Sequence, residues 1–259
     1  MSEASSSLLE VRDLSISFGG LRAVERFSLS LPAGGLYGLI GPNGAGKTTV
    51  FNLLTGVYRP DSGTMRVAGE RVDGRKTHEI VRSGMVRTFQ NIRLFGALSV
   101  LDNVRLGCQL RRQHGLWASV SGSGRVAASE RAINERCGEL LELFGLGARR
   151  HEQARNLSYG EQRRLEIARA LGTEPKVLLL DEPAAGMNPK EKLELMELIH
   201  FIRERFKLAV LLIEHDMKLV MTISQRITVL DHGEIIAEGT PLEMQQNPKV
   251  IEAYLGEPV

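Results

Sequence analysis

Long apolar runs are missing from this chain. The longest uninterrupted one covers residues 208–213, far short of the roughly 20 residues that a membrane-spanning helix needs. If the protein works at a membrane, something else must cross it. Cysteine is scarce. Cys108 and Cys137 lie far apart in sequence and outside any metal-ligand spacing, which removes a disulfide framework and predicts reduced, partly buried thiols of a cytosolic protein. An excess of one charge is absent too. Against 33 Lys and Arg stand 31 Asp and Glu, a net charge of +2, too mild to imply a nucleic-acid partner. The polar, serine-rich residues 1–7 lack the apolar core of a secretory signal, and no internal repeat is evident. What remains is 42% hydrophobic and 25% charged over 259 residues. That excludes a disordered chain and is enough for one large domain, or for a core with a smaller subdomain.

Residues 8–18 and 24–31 read as strands on either side of Gly19-Gly20, and residues 36–40 as a short apolar strand leading into a glycine-rich loop and a helix. Further short strands are predicted at 63–68 and 86–89. Ser99 with Asp102 marks a helix start, and Ile133, Cys137, Leu140, Leu141 and Phe144 recur at helical spacing over 128–144. Residues 115–129 (GLWASVSGSGRVAAS) read as a loop. Strand and helix then alternate. Residues 177–180 and 208–213 are fully apolar strands, Asn188-Pro189-Lys190-Glu191 starts one helix, and Thr240-Pro241-Leu242-Glu243 starts another. This order predicts an α/β core around a mainly parallel sheet, interrupted by a helical block.

Three motifs carry chemistry. Residues 41–48 fit G-x-x-x-x-G-K-[ST] between a predicted strand and a predicted helix. In the loop of Gly41, Pro42, Asn43, Gly44, Ala45 and Gly46, glycines let backbone amides turn inward around phosphate oxygens. The helix that follows presents its positive end to them. Lys47 is placed to reach the β- and γ-phosphates and Thr48 to hold Mg²⁺, with Thr49 beside it. Residues 177–182 (VLLLDE) put two carboxylates at the C-terminal end of a buried strand, where open α/β sheets bind ligands. Asp181 is the candidate to hold Mg²⁺ through water, and Glu182 to polarise an attacking water. In residues 157–162 (LSYGEQ), Ser158 and Glu161 form a capping box, and a helix start with an exposed Ser158 and Gly160 is also an anion site.

The phosphate loop, Gln90, LSYGEQ, LLLDE and then His215 after an apolar strand, in that order, resemble the nucleotide-binding subunit of an ABC transporter over essentially the whole chain. The segments IGPNGAGKTTVFNLLTG, RTFQNIRLF, YGEQRRLEIARAL and TPLEMQQNPKVIEAYLGE resemble the larger of the two ATPase subunits of branched-chain amino-acid importers, the LivG-like group. The resemblance implies one ABC ATPase domain of the α/β class. Its P-loop NTPase core and N-terminal antiparallel β subdomain would take about 1–89 and 156–259, with a helical subdomain inserted at about 90–155. It implies ATP and Mg²⁺ as cofactors. A second ABC ATPase subunit, homologous or identical, would pair head to tail with this one, so that Ser158, Gly160 and Gln162 meet the nucleotide held by the partner's phosphate loop. Gln90 would reach Mg²⁺ or the attacking water, His215 would hydrogen-bond the γ-phosphate, and Phe18 would stack on adenine with Val24 lining the same surface. Residues 84–98 and the helices after them would touch the transmembrane permease subunits, which places the chain in the cytoplasm on the inner face of the membrane. Leucine, isoleucine and valine are the implied cargo, with urea or short amides carried by related importers.

Asn188 departs from the pattern, because many cassettes carry Asp there. Arg111, Arg112, Arg149 and Arg150 read as a solvated face. A non-transport ABC ATPase is the alternative from another class. The chain has a single cassette, a short helical block and no basic patch, all of which argue against it. A module that closes on ATP without turnover is a third reading, opposed by the complete catalytic set.

Overall fold

The computed structural model describes residues 7–110 and 124–255. Arg111, Arg112 and residues 1–6 and 115–123 of the sequence expectations lie outside them. In the described chain, β1 (Ser7–Phe18) and β2 (Leu21–Pro32) form an antiparallel hairpin closed at Gly19-Gly20. β3 (Leu36–Ile40) leads into α1 (Lys47–Leu54). β4 (Ser62–Val67), the short β5 (Glu70–Arg71), α2 (Thr77–Ser83) and β6 (Met85–Arg87) follow. Next come α3 (Val100–Leu110), α4 (Gly124–Leu143) and α5 (Tyr159–Gly172). The last part of the chain alternates β7 (Val177–Asp181), α6 (Pro189–Phe206), β8 (Ala209–Ile213) and α7 (Met217–Ile223). It ends in β9 (Arg226–Asp231), β10 (Glu234–Gly239), α8 (Pro241–Gln245) and α9 (Pro248–Leu255).

The strands form two sheets, a four-stranded one in the order β2-β1-β4-β5 and a six-stranded one in the order β10-β9-β3-β8-β7-β6. In the larger sheet β9, β3, β8, β7 and β6 run parallel, and β10 is an antiparallel edge. Its central strands β3, β8 and β7 are apolar up to the terminal Asp181 of β7 because both faces are covered. Leu39, Val177, Leu179, Ala209 and Leu211 pack toward the antiparallel sheet and α1, whereas Leu36, Ile40, Leu178, Leu180, Val210 and Leu212 pack toward the helices. The period of two along each strand thus sorts one hydrophobic run into two cores. At the hairpin between β9 and β10, which the sequence reading passed over, His232 (φ 44°) and Gly233 (φ 84°) make a two-residue turn.

The helix starts follow the capping chemistry. Asn188 Oδ1 accepts from the Glu191 amide at 2.9 Å, and Pro189 opens α6. Ser99 Oγ accepts from the Asp102 amide at 3.0 Å. One expectation needs correction: the stretch read as a loop over 115–129 is helical from Gly124. The good helix formers that follow its small residues, anchored by the buried Ile133, Cys137 and Leu140, extend α4 backward. α5 packs against this helical layer. A Cβ on Gly107 of α3 would stand 2.1 Å from the Arg169 carbonyl oxygen, so the two helices touch backbone to backbone. The thiols of Cys108 and Cys137, distant in sequence, lie 3.5 Å apart between α3 and α4.

Candidate active site

The phosphate loop leaves β3 at a point that only glycine can occupy. Gly41 has φ 152°, and a Cβ there would meet the Leu230 carbonyl oxygen at 2.0 Å. Gly46, at φ 103°, stands as the N-cap of α1, with no side chain capping that helix and no acidic residue in its first turn. Helix-start amides without an internal partner favour an anion. Lys47 Nζ donates to the carbonyls of Gly41 (2.6 Å) and Pro42 (2.8 Å), so the ammonium curls back over its own loop. Burial holds Lys47 below the usual lysine range, while Glu182 and Asp181 pull it back up. Thr48 is exposed at the first turn, with Thr49 beside it.

Across from the loop, β7 delivers the two carboxylates. Asp181 is buried, and its Oδ2 accepts from Arg87 Nη2 at 2.5 Å. Arg87 also donates to Asn52 Oδ1 of α1 at 2.8 Å, which ties β7, β6 and α1 together. Glu182 sits one residue beyond the strand with a left-handed backbone, φ 45°, a conformation that non-glycine residues adopt mainly where the surroundings impose it. Gln90 Nε2 donates to Glu182 Oε2 at 2.6 Å, and His215 Nδ1 lies 3.5 Å from the same oxygen. Gln90, Glu182 and His215, singled out from widely separated segments, therefore meet at one carboxylate. Glu214 is buried beside them and accepts from the Ala184 amide at 3.0 Å; burial pushes its carboxyl up, against that hydrogen bond and His215.

Ser158, Gly160 and Gln162 stand apart, at the start of α5. Ser158 completes its capping box, its Oγ accepting from the Glu161 amide at 3.4 Å and donating to Glu161 Oε2 at 2.9 Å. Gln162 Nε2 donates to the Leu157 carbonyl at 2.9 Å, which turns this amide onto its own chain. Phe18 is partly exposed, with its ring edge-on to Tyr58 at a centroid distance of 5.1 Å. Val24 is corrected outright. It is fully buried in the core with Phe27 and Leu39, so it supports β2 and lines no surface.

Sequence reasoning missed Arg87 and Arg163. Arg87 was a cation in an apolar strand, a signal that went unused. Arg163 is fully buried on α5, and its Nη1 and Nη2 donate to the carbonyls of Phe89 (2.6 Å) and Gln90 (2.7 Å).

Among the described residues no helix is long and apolar enough to cross a membrane. The family model for the ABC transporter matches residues 24–185, and that for the branched-chain amino acid ATP-binding cassette transporter matches residues 234–259. The chain is 48% identical over 98% of its length to the high-affinity branched-chain amino acid transport ATP-binding protein LivG of Salmonella typhimurium, 99% of which is covered. It is 46% identical over 96% of its length to the corresponding protein BraF of Pseudomonas aeruginosa, 98% covered. Among solved structures, the ADP conformation of MJ1267, an ATP-binding cassette of an ABC transporter, superposes with a TM-score of 0.83 at 29% identity, over 97% of this chain and 99% of that one. The antiparallel sheet, the mixed sheet with its phosphate loop, and these relatives agree, and the chain belongs to the ATP-binding cassette family of ABC transporters, in its branched-chain amino-acid group.

Proposed function

We propose that this chain is the ATP-hydrolysing subunit that powers an importer of branched-chain amino acids. The observation that carries the reading is the convergence of Gln90 and His215 on Glu182, across from a phosphate loop whose helix start has no side-chain cap. Along the loop from Gly41 and Pro42 through Asn43, Gly44, Ala45, Gly46, Lys47, Thr48 and Thr49, the backbone N–H groups hold the phosphates of ATP, with Pro42, which has none, shaping the turn. Lys47 exchanges its two carbonyl contacts for phosphate oxygens. Glu182 takes the proton side of the attacking water and Gln90 orients it, while His215 donates to the γ-phosphate. Phe18 stacks on adenine.

Mg²⁺ fits the donor set. Thr48, Asp181 and Gln90 offer oxygen atoms, and among the described residues no cluster of three or more His, Cys, Asp or Glu residues is arranged to hold a metal. Such a site suits a hard ion that keeps waters and shares substrate phosphates, and the ion would neutralise phosphate charge there.

Ser158 and Gly160 present their helix start to the nucleotide on a second ABC ATPase subunit, head to tail. Residues 84–98 and a helical subdomain over about 90–155 carry the closure to the permease subunits, with the chain peripheral on the inner face of the membrane. The test is uptake of labelled leucine by cells that lack this gene and other leucine importers. Uptake is expected to return with the wild-type chain and not with Glu182→Gln, whose purified form still binds ATP. Leucine uptake that is unchanged by the deletion overturns the branched-chain assignment.

A further inference from the structure

Arg163 is the largest fully buried side chain of the described residues, and it is charged. Besides the Phe89 and Gln90 carbonyls, it reaches Glu166 Oε2 at 3.0 Å and the Tyr159 hydroxyl at 3.1 Å. Glu166 is 1% exposed, and its other oxygen accepts from the Arg93 amide at 3.1 Å. One buried pair on α5 thus grips the 89–93 segment at both ends. Between these grips the Gln90 side chain reaches out to Glu182. The first turn of α5 also leans on the loop after Glu182, since a Cβ on Gly186 would lie 3.5 Å from the Tyr159 ring.

Stability alone does not account for this arrangement. A buried ion pair replaced by well-packed apolar groups is often neutral or stabilising. What a guanidinium adds is a rigid fork that fixes two carbonyls at once, which a lysine ammonium, a point charge, does not reproduce.

We propose that Arg163, braced by Glu166, is a positioning residue for ATP hydrolysis: it holds Gln90 in register with Glu182, and so ties the catalytic glutamine to the helix that begins at Ser158 and Gly160. This rests on the reading that Gln90 and Glu182 act in hydrolysis. A shift at that helix start then moves Gln90 of the same chain, which links the two nucleotide sites of a head-to-tail pair.

The test measures kcat and KM for ATP in the transporter assembled with its permease, for the double variant Arg163→Met/Glu166→Leu, for Arg163→Lys, and for each in a Gln90→Ala background. The double variant removes both fully buried charges together, so that only the half-buried Arg169 loses its Glu166 neighbour. We expect its KM to stay within about twofold and its kcat to fall about tenfold or more, as misplacement of a reacting group does. Arg163→Lys should fall in between. In the Gln90→Ala background either change should cost less than about twofold further, because its target is gone. A folded double variant with wild-type kcat overturns the proposal, and so do losses that multiply in full with Gln90→Ala. Should the double variant not fold, Arg163→Lys carries the same comparison, and a wild-type kcat there overturns it. If Gln90→Ala itself hydrolyses normally, the underlying reading of Gln90 fails; if it is slow and the Arg163 variants are not, only the positioning role fails.

Discussion

Two helix starts in this molecule use the same physics in opposite ways. At α1 the N-cap is a glycine without a side-chain bond, and the first turn carries no acid. At α5 Ser158 and Glu161 close a complete capping box, and Arg149 Nε adds an ion pair to Glu161 at 3.2 Å. Each start has amides that lack an intrahelical partner. At α1 no side chain caps them, and at α5 the chain satisfies two of its own, the Ser158 and Glu161 amides. On the proposed reading, anion binding at α1 is therefore open to the isolated chain. At α5 an incoming phosphate competes with the Glu161 carboxylate, so that site is conditional. On this comparison, the nucleotide affinity of a lone chain rests on the first start, and the second contributes only when a partner presents its γ-phosphate.

The sharpest way to break the comparison is Lys47→Ala. It should abolish detectable binding of a fluorescent ATP analogue by the isolated chain, because the ammonium that bends over the loop is lost. Retained affinity would mean that the amides alone suffice. A smaller effect is expected from Ser158→Ala, which should lower stability by about 1 kcal/mol, the usual worth of an N-cap. It should leave ATP binding by the isolated chain unchanged while slowing turnover in the assembled transporter. Thermal unfolding and the same titration check this, and weakened binding in the isolated chain would erase the distinction between the two starts.

The smallest effect is a pH dependence in acid, which the α1 start, with no acidic residue in its first turn, does not share. Burial pushes Glu161 up, but bonds from the Ser158 amide and hydroxyl, with Arg149 and Arg164 nearby, bring it below its ordinary 4.5. A carboxylate depressed in the folded state contributes fully above its unfolded value, and that contribution is lost as pH falls through the folded one. Glu161→Gln should therefore lose less Tm than the wild type between about pH 5 and pH 3. Parallel curves for the two would show that the box adds nothing in acid.

Most of the fold was legible because it rests on short-range chemistry. The strand at Leu36–Ile40, the capping boxes at Asn188 and Thr240 and the apolar strands at β7 and β8 all carry their signals within a few residues. The hairpin of β9 and β10 was missed because His232-Gly233 is a weak turn signal beside Asn-Gly or Asp-Gly, and β9 gains its place only by pairing with β3. Of the site, the residues on named motifs were readable, and the meeting of Gln90, Glu182 and His215 followed from resemblance in order. Val24 was misread because an apolar residue beside a ligand surface and one beneath it look alike in sequence. Arg163 was invisible for a related reason: an arginine on a helix reads as solvated until its two carbonyl partners, 74 and 73 positions away, are seen.

The left-handed backbone at Glu182 has a consequence for how such a chain drifts. A non-glycine residue held there stores about 1–3 kcal/mol of strain, and a glycine at the same position would release it. Selection for a stable fold alone would therefore erode this carboxylate rather than preserve it. If Glu182 acts in hydrolysis as proposed, a demand for turnover, exerted through the organism's need for cargo, opposes that drift, a pressure that Asp13, Arg26 and Ala68, left-handed as well, do not share. On that reading, a lineage in which the demand lapsed would be expected to lose this carboxylate before it lost its fold.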